Sequence, residues 1–388
     1  MTKFSTGAAN RHSPSSTRPR VLIQAIFPAP YRTAVFDQLN LTQDLFVAFE
    51  KTSHSERNQE WFNTNYKFEA VSLRTKAGRA RYRSELKRLS DYDCVVAYDY
   101  ASFDSILLMA RCLRTGVPYM INCDGALPRG WRWRDHVKKI FISRASVCLA
   151  GSESAAQYFL TYGADPSRIH RHPFTSLSAD EVFSQPATDE ERRNLRVRLG
   201  LPPDKFLVAS VGGFIARKGF DILLKAWTDM PSEAHLLLIG EGPEESAYRS
   251  FISRNRLGNV TIVPHQNRAS LRGYYRAADT FVLATREDIW GLVVNEAMAC
   301  GLPVIVTNQC VAGVELIADH ENGFVVPSEN PDELLVAMTA LLSEGAGKRH
   351  EIGKRNLLSI EGHTYEAVAK AHNASIKQVT SDNRTERL

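Results

Sequence analysis

The sequence predicts an α/β protein built from two consecutive doubly wound, Rossmann-like domains. Three observations carry that expectation. The chain has 388 residues, more than one ordinary core accommodates. Short apolar runs alternate with longer amphipathic stretches almost from end to end. The alternation is interrupted once, by a polar stretch marked with prolines.

In the first half the apolar runs are Val21–Phe27, Asp44–Glu50, Phe68–Leu73, Cys94–Tyr98, Pro118–Cys123 and Val147–Gly151. They are short and mostly β-branched or aromatic, and a segment of helical period follows most of them. Parallel strands joined by crossover helices have this signature. Ser178–Asp204, containing SQPATDEERRNL and LPPDK, breaks the rhythm and reads as a linker. The alternation then restarts with Phe206–Gly212, His235–Gly240, Val260–Pro264, Thr280–Ala284, Pro303–Thr307 and Gly323–Val326. The expected organisation is a disordered basic tail over 1–20, a first domain over 21–177, the linker over 178–204, a second domain over 205–362, and a terminal helix and tail over 363–388. The helical stretch Tyr365–Val379 has no assigned packing partner at this level. In open sheets of this kind, ligands bind beyond the carboxyl ends of the strands.

Composition narrows the class. With 44% apolar and 23% charged residues the chain is globular, and no apolar run is long enough for a membrane-spanning helix. The first 20 residues are basic and rich in Ser and Thr, without the apolar segment of a secretory signal. Six scattered cysteines lack any C-x-x-C spacing, which fits a reducing cytoplasm rather than a disulfide framework or a zinc site. The net charge of +5 conceals an asymmetry: residues 1–175 carry 25 Lys/Arg against 15 Asp/Glu, whereas the remainder is acidic. A basic first half suits an anionic surface or a phosphate-bearing acceptor.

The densest motif is REDIWGLVVNEAMACGLPVIVTN, Arg286–Asn308. Acidic Glu287 and Asp288 stand at a strand end. A helix beginning near Leu292 would offer the free amides of Gly291, Leu292 and Val293 to an anion, and Gly291 has no side chain in the way. Glu296, one turn on, is placed to accept from sugar hydroxyls. In SVGGFIARKGFDILLKAW, Ser210–Trp227, the cations Arg217 and Lys218 precede a helix N-terminus, where they run against the macrodipole unless an anion joins them. A diphosphate answers that description. Leu236–Glu245 holds a lone Gly-x-Gly, too little for a nicotinamide fingerprint. His265, in NVTIVPHQN, either touches a nucleotide or is simply exposed. In the first half, Tyr31 and Arg32 begin a helix directly after the first strand, as acceptor contacts or as an exposed cap. Asp124 ends the strand Tyr119–Cys123, where as a catalytic candidate it takes an acceptor hydroxyl or assists at the sugar, or else caps the following loop.

These residues resemble the retaining glycosyltransferases of family four. The family's hallmark is Glu, seven residues, Glu, then a Gly-Leu-Pro-Val strand, matched here by Asp288 and Glu296, and the resemblance runs from about Val21 to Leu342. It implies the GT-B fold, two such domains facing a central cleft, and sugar transfer with retention from a nucleotide sugar. By resemblance Glu296 holds the donor ribose, Asp288 or the adjacent Glu287 lies at the sugar as the catalytic acid, and Lys218 grips the diphosphate. Gly213 stands where relatives have Arg, so either Arg217 substitutes or the diphosphate is held more weakly. Glu321–Pro327 looks like the family's terminal hairpin. No Asp-x-Asp occurs, so no metal or other cofactor is required and the cations supply the electrostatics.

The implied partners are a nucleotide-sugar donor and a glycan or lipid-linked acceptor in cell-surface polysaccharide or glycolipid synthesis, with no nucleic acid. The run Arg74–Leu89 and the Trp131/Trp133 pair among cations suggest docking on the inner face of the plasma membrane from the cytoplasm. Two alternatives remain: a nucleotide-sugar 2-epimerase of the same fold, and a non-catalytic sugar-nucleotide-binding protein.

Overall fold

A computed structural model describes residues 18–52, 65–98, 100–126 and 135–386. They form two compact units, one ending at Thr175 and resumed from Thr364, the other spanning Ser176–His363. In chain order, the first unit contains β1 (Arg20–Ala25), α1 (Pro30–Leu39), β2 (Asp44–Phe49), β3 (Glu69–Ser72), α2 (Lys76–Lys87), β4 (Cys94–Ala97), α3 (Phe103–Thr115), β5 (Tyr119–Cys123), α4 (Asp135–Ile142), β6 (Val147–Ala150), α5 (Glu153–Thr161) and β7 (Ile169–Arg171). The second contains α6 (Asp189–Leu199), β8 (Phe206–Val211), α7 (Phe220–Trp227), β9 (Ala234–Ile239), α8 (Glu245–Arg254), β10 (Val260–Val263), α9 (Arg268–Ala277), β11 (Thr280–Leu283), α10 (Leu292–Ala299), β12 (Val304–Thr307), α11 (Val311–Leu316), β13 (Gly323–Val326), α12 (Pro331–Ser343) and α13 (Gly345–Ile360). The last helix, α14 (Tyr365–Glu386), returns to the first unit.

Both sheets are parallel. The first has the order β3-β2-β1-β4-β5-β6-β7 and the second β10-β9-β8-β11-β12-β13. Helices cover both faces of such sheets, so central strands are apolar throughout rather than alternating. Ile23 of β1 lies between Val47 and Val96, for example, and all three are fully buried. In each sheet the order reverses once, between β1 and β4 and between β8 and β11. Each reversal opens a crevice at the carboxyl edge.

Every apolar run expected from the sequence is a strand. Three features differ from expectation. The short edge strand β7 has no apolar run to announce it. The segment 178–204 is not a linker but part of the second unit. Within it α6 starts in a capping box of Thr188 and Glu191, and its polar look is misleading because two of its arginines are buried. Arg196 donates to the carbonyls of Ala277 and Lys205 at 2.8 Å each and pairs with Asp279 at 2.6 Å, while Arg192 donates to Ala278. The third correction concerns Glu321–Pro327. It makes no hairpin; β13 pairs in parallel with β12, Val304 opposite Gly323, as the sheet's last strand.

The packing of α14 is also settled. Tyr365, Val368, Ala369, Ile376 and Val379 join the core formed by β1 and α1 on one face of the first sheet.

The Asp279 cluster makes the first testable prediction. Its carboxylate accepts from the Leu207 amide at 2.7 Å and from Arg196, with Arg192 and Arg349 both at 3.8 Å. Removing one member of a buried ion cluster strands the others, at about 3–5 kcal/mol. Asp279→Ala should therefore lower the melting temperature of the second unit, and a calorimetric trace unchanged from wild type would contradict this account.

Candidate active site

In the second unit two loops leave the carboxyl edge at the reversal point. One joins β8 to α7 and the other joins β11 to α10. They are fastened to each other: the Arg217 carbonyl accepts from the Arg286 amide at 2.8 Å and from the Thr285 hydroxyl at 2.9 Å. The Arg286 guanidinium donates two bonds of 2.8 Å to Asp221 on α7. Gly219 makes the close approach possible. Its φ is +67°, and a Cβ there would lie 1.9 Å from the Ala284 carbonyl oxygen.

These bonds bring Arg217, Lys218 and Asp288 together. Lys218 Nζ is ion-paired with Asp288 Oδ2. Arg217 Nη1 donates to the Glu287 carbonyl at 2.8 Å and lies 3.8 Å from Asp288 Oδ1. Burial alone would raise the Asp288 pKa, but Lys218 and Arg217 outweigh it and hold the carboxyl below its ordinary value. Of the two adjacent acids, Asp288 is therefore the one turned onto the cations. Gly291 caps α10 at φ +100°, with Cys310 Sγ only 2.6 Å from where its Cβ would be. The first amides of α10, at Leu292 and Val293, have no acceptor within the helix geometry.

Glu296 lies one turn along α10, in a recess with Leu177, Glu181, Arg268, Tyr275 and Cys300. Its Oε1 accepts from Ser176 at 3.1 Å and its Oε2 from Tyr275 at 3.2 Å. Burial raises its pKa, against the opposing pull of Arg268, Ser176 and Tyr275. The sequence reading missed Tyr275 and Ser176, which orient this carboxylate; neither lies in a recognisable motif. His265 follows β10 and is exposed, outside the residues lining this recess.

In the first unit the structure joins Asp124 to Tyr31 and Arg32, which the sequence reading treats apart from it. Arg32 and Asp124 form an ion pair at 2.7 Å, and Tyr31 packs edge-on against Phe174 with centroids 5.3 Å apart. They share a recess with Tyr98, Asn122, His172 and His372. The sequence reading missed His172 and His372, because β7 and the placement of α14 were invisible in it. Trp131 and Trp133 lie outside the described residues.

A pair of parallel-sheet Rossmann-like units with this site defines a GT-B protein. The description "Glycosyltransferase Family 4" matches residues 44–173 and "Glycosyl transferases group 1" matches residues 191–357, and the chain belongs to the family-four glycosyltransferases. A curated relative, the D-inositol 3-phosphate glycosyltransferase of Xylanimonas cellulosilytica, is 32% identical over 200 residues, 50% of this chain and 47% of that protein. The chain thus matches about half the length of such relatives. Among solved structures, Anabaena HepE in complex with UDP has a TM-score of 0.74 at 18% identity, covering 94% of this chain and all of that one. A Rickettsia africae glycosyltransferase reaches 0.75 at 14%, covering 94% and 99%. At such identities the likeness concerns the fold.

The two carboxylates should act oppositely on stability. Glu296, with its raised pKa, binds its proton more tightly when folded, so stability falls as pH rises from about 4.3 through the raised value. Glu296→Gln removes that cost and should raise the melting temperature at pH 7. Asp288, with its lowered pKa, contributes stability that is present above about 3.9 and lost as pH falls through the lowered value. Asp288→Asn should therefore lower the melting temperature at pH 7. Shifts of the same sign for both variants would refute this assignment.

Proposed function

We propose that this chain transfers a sugar, with retention, from a nucleoside diphosphate sugar to a hydroxyl of a glycan or lipid-linked acceptor. The observation that carries the reading is the cation pair Arg217 and Lys218, fastened beside the start of α10 with Glu296 one turn further along. A diphosphate would displace Asp288 from Lys218 and take up the charge of both side chains, while Glu296 accepts from ribose hydroxyls. In the reaction the bond from the sugar C1 to the diphosphate oxygen breaks and its electron pair leaves with the diphosphate. The acceptor oxygen bonds to C1 on the same face, and its proton passes to a phosphate oxygen of the leaving group. Arg217, Lys218 and the α10 amides stabilise the charge that develops there. Asp288, freed from Lys218, or Glu287 then faces the sugar, and His265 is at most a peripheral contact to the nucleotide. The nucleotide sugar is a substrate, and the reading needs no resident cofactor.

The first unit would hold the acceptor, through Tyr31, Arg32 and Asp124. The inositol 3-phosphate named for the relatives supports a hydroxyl-bearing acceptor of this kind. We place the reaction in the cytoplasm, on the inner face of the plasma membrane, in cell-surface glycan or glycolipid synthesis. Lys76, Arg79, Arg83 and Lys87, all exposed and spaced by one helical turn along α2, support that placement. Arg81 is not equivalent to them, because Glu69 and Glu85 already engage it.

The direct test incubates the purified chain with a panel of UDP-, GDP- and ADP-sugars and scores transfer or hydrolysis; neither with any donor would contradict the reading. Lys218→Ala should weaken nucleotide binding by about 1.5–3 kcal/mol, the value of a charged hydrogen bond, measured calorimetrically with the nucleoside diphosphate. A Cβ at Gly213 meets nothing nearer than the Glu241 carbonyl at 4.0 Å. Gly213→Arg should therefore fold normally and tighten diphosphate binding, and weaker binding would show that Arg217 already fills that role.

Membrane docking is tested separately by sedimentation with phosphatidylserine and phosphatidylcholine vesicles. Binding should favour the anionic vesicles, fall with salt as the screening length drops to about 8 Å at physiological ionic strength, and fall further when Lys76, Arg83 and Lys87 are neutralised together. Equal binding to both vesicle types would refute it.

A further inference from the structure

The recess in the first unit collects buried polar atoms that nothing satisfies. Arg32 gives Nη2 to Asp124, but its Nε and Nη1 have no partner. Asn122 gives its Nδ2 to Asp124 Oδ1 at 2.8 Å, leaving its own Oδ1 without one. His172 Nδ1 lies 2.8 Å from the Pro173 carbonyl oxygen. A carbonyl only accepts, so Nδ1 carries the hydrogen, and because burial disfavours the charged ring, Nε2 presents a lone pair. That Nε2 is buried and unpartnered. Four of the ten such atoms among the described residues thus line one recess. Each costs about 1–3 kcal/mol if left unmade, and their concentration in one place calls for an occupant.

The occupant must both accept and donate. Arg32 offers N–H groups, and His172 and Asn122 offer acceptor atoms. A hydroxyl does both; a phosphate ester dianion only accepts and leaves His172 Nε2 and Asn122 Oδ1 facing its oxygens, while inorganic phosphate, which keeps a P–OH, brings net negative charge beside Asp124. The charge agrees, because Asp124 already balances Arg32. The walls are the rings of Tyr31, Tyr98, Phe174 and His372, and the enclosed part has room for about one water-sized group.

We propose that this recess seats one hydroxyl of a neutral sugar or cyclitol ring, its oxygen accepting from Arg32 and its hydrogen donated to His172 Nε2. His172 is then a specificity-determining residue for the acceptor, and the inference rests on the first unit being the acceptor side. Asn122 Oδ1 is open to a neighbouring hydroxyl. Selection falls on an uncharged ring face, wherever else on the acceptor a phosphate sits.

The test uses the full-length chain with ¹⁵N-labelled histidine and follows the His172 ring nitrogens by NMR while myo-inositol, glucose or inorganic phosphate is added. A neutral ring should shift Nε2 saturably, and phosphate should not. His172→Gln, which keeps an acceptor near the position of Nε2, should retain the ring's affinity, while His172→Phe should weaken it roughly tenfold, the value of one hydrogen bond. A shift with phosphate alone, no shift with any probe, or full affinity in His172→Phe would each overturn the proposal. Nucleotide-sugar turnover is measured on the same samples. Turnover without a response at His172 refutes only this inference, and a response without turnover refutes the transferase reading and reduces His172 to a ring-binding residue.

Discussion

An ammonium group that is mostly buried needs a carboxylate beside it when no ligand is bound, and Asp288 meets that need for Lys218. The pair also spans two loops that the sheet topology would otherwise let diverge, since α7 and α10 follow strands on either side of the reversal point. The backbone bonds from Arg286 and Thr285 to the Arg217 carbonyl fix the register between the loops. The cations therefore stand in place before any anion arrives, and the work of collecting like charges is done during folding. On the proposed reading, a diphosphate then replaces one carboxylate partner with a more highly charged one instead of assembling a site.

The two acids of the Asp288 and Glu296 spacing consequently live in opposite conditions. Asp288 faces cations, and its proton is easily lost. Glu296 is held by two neutral hydroxyls, from Ser176 and Tyr275, in a recess where burial dominates. A carboxylate so held keeps lone pairs for further donors and gains from any that arrive. Ribose hydroxyls are donors of that kind. The destabilisation stored at Glu296 and the stabilisation at Asp288 are two sides of one arrangement, in which binding satisfies what folding leaves strained.

The sequence made the architecture legible because parallel sheets covered on both faces leave unbroken apolar runs, and all the expected runs are strands. Legibility failed where burial was not apolar. Thr188–Leu199 looks like a linker because its core contacts are Arg192 and Arg196, whose burial depends on Asp279 some eighty residues away. Strand β7 failed for a related reason: Ile-His-Arg at a sheet edge carries no period. In the second unit the positions of Arg217, Lys218, Asp288 and Glu296 at strand ends and helix starts were readable, since such features are local. Their partners Ser176 and Tyr275 were not, because orientation of a carboxylate is decided by side chains distant in sequence.

The same topology is used twice with different electrostatics. At the reversal point of the second sheet, Arg217 and Lys218 are both gathered on the Asp288 carboxylate. At that of the first sheet, Arg32 and Asp124 cancel, and what remains unsatisfied is hydrogen-bonding capacity rather than charge. On the proposed reading, a nucleoside diphosphate and an uncharged ring are the ligands that suit those two conditions. Part of the basic surplus of residues 1–175 is carried by the exposed helix α2, and none of it by the balanced Arg32–Asp124 pair of the recess. On the proposed reading, the exposed cations of α2 serve docking while the neutral pair inside the recess serves recognition.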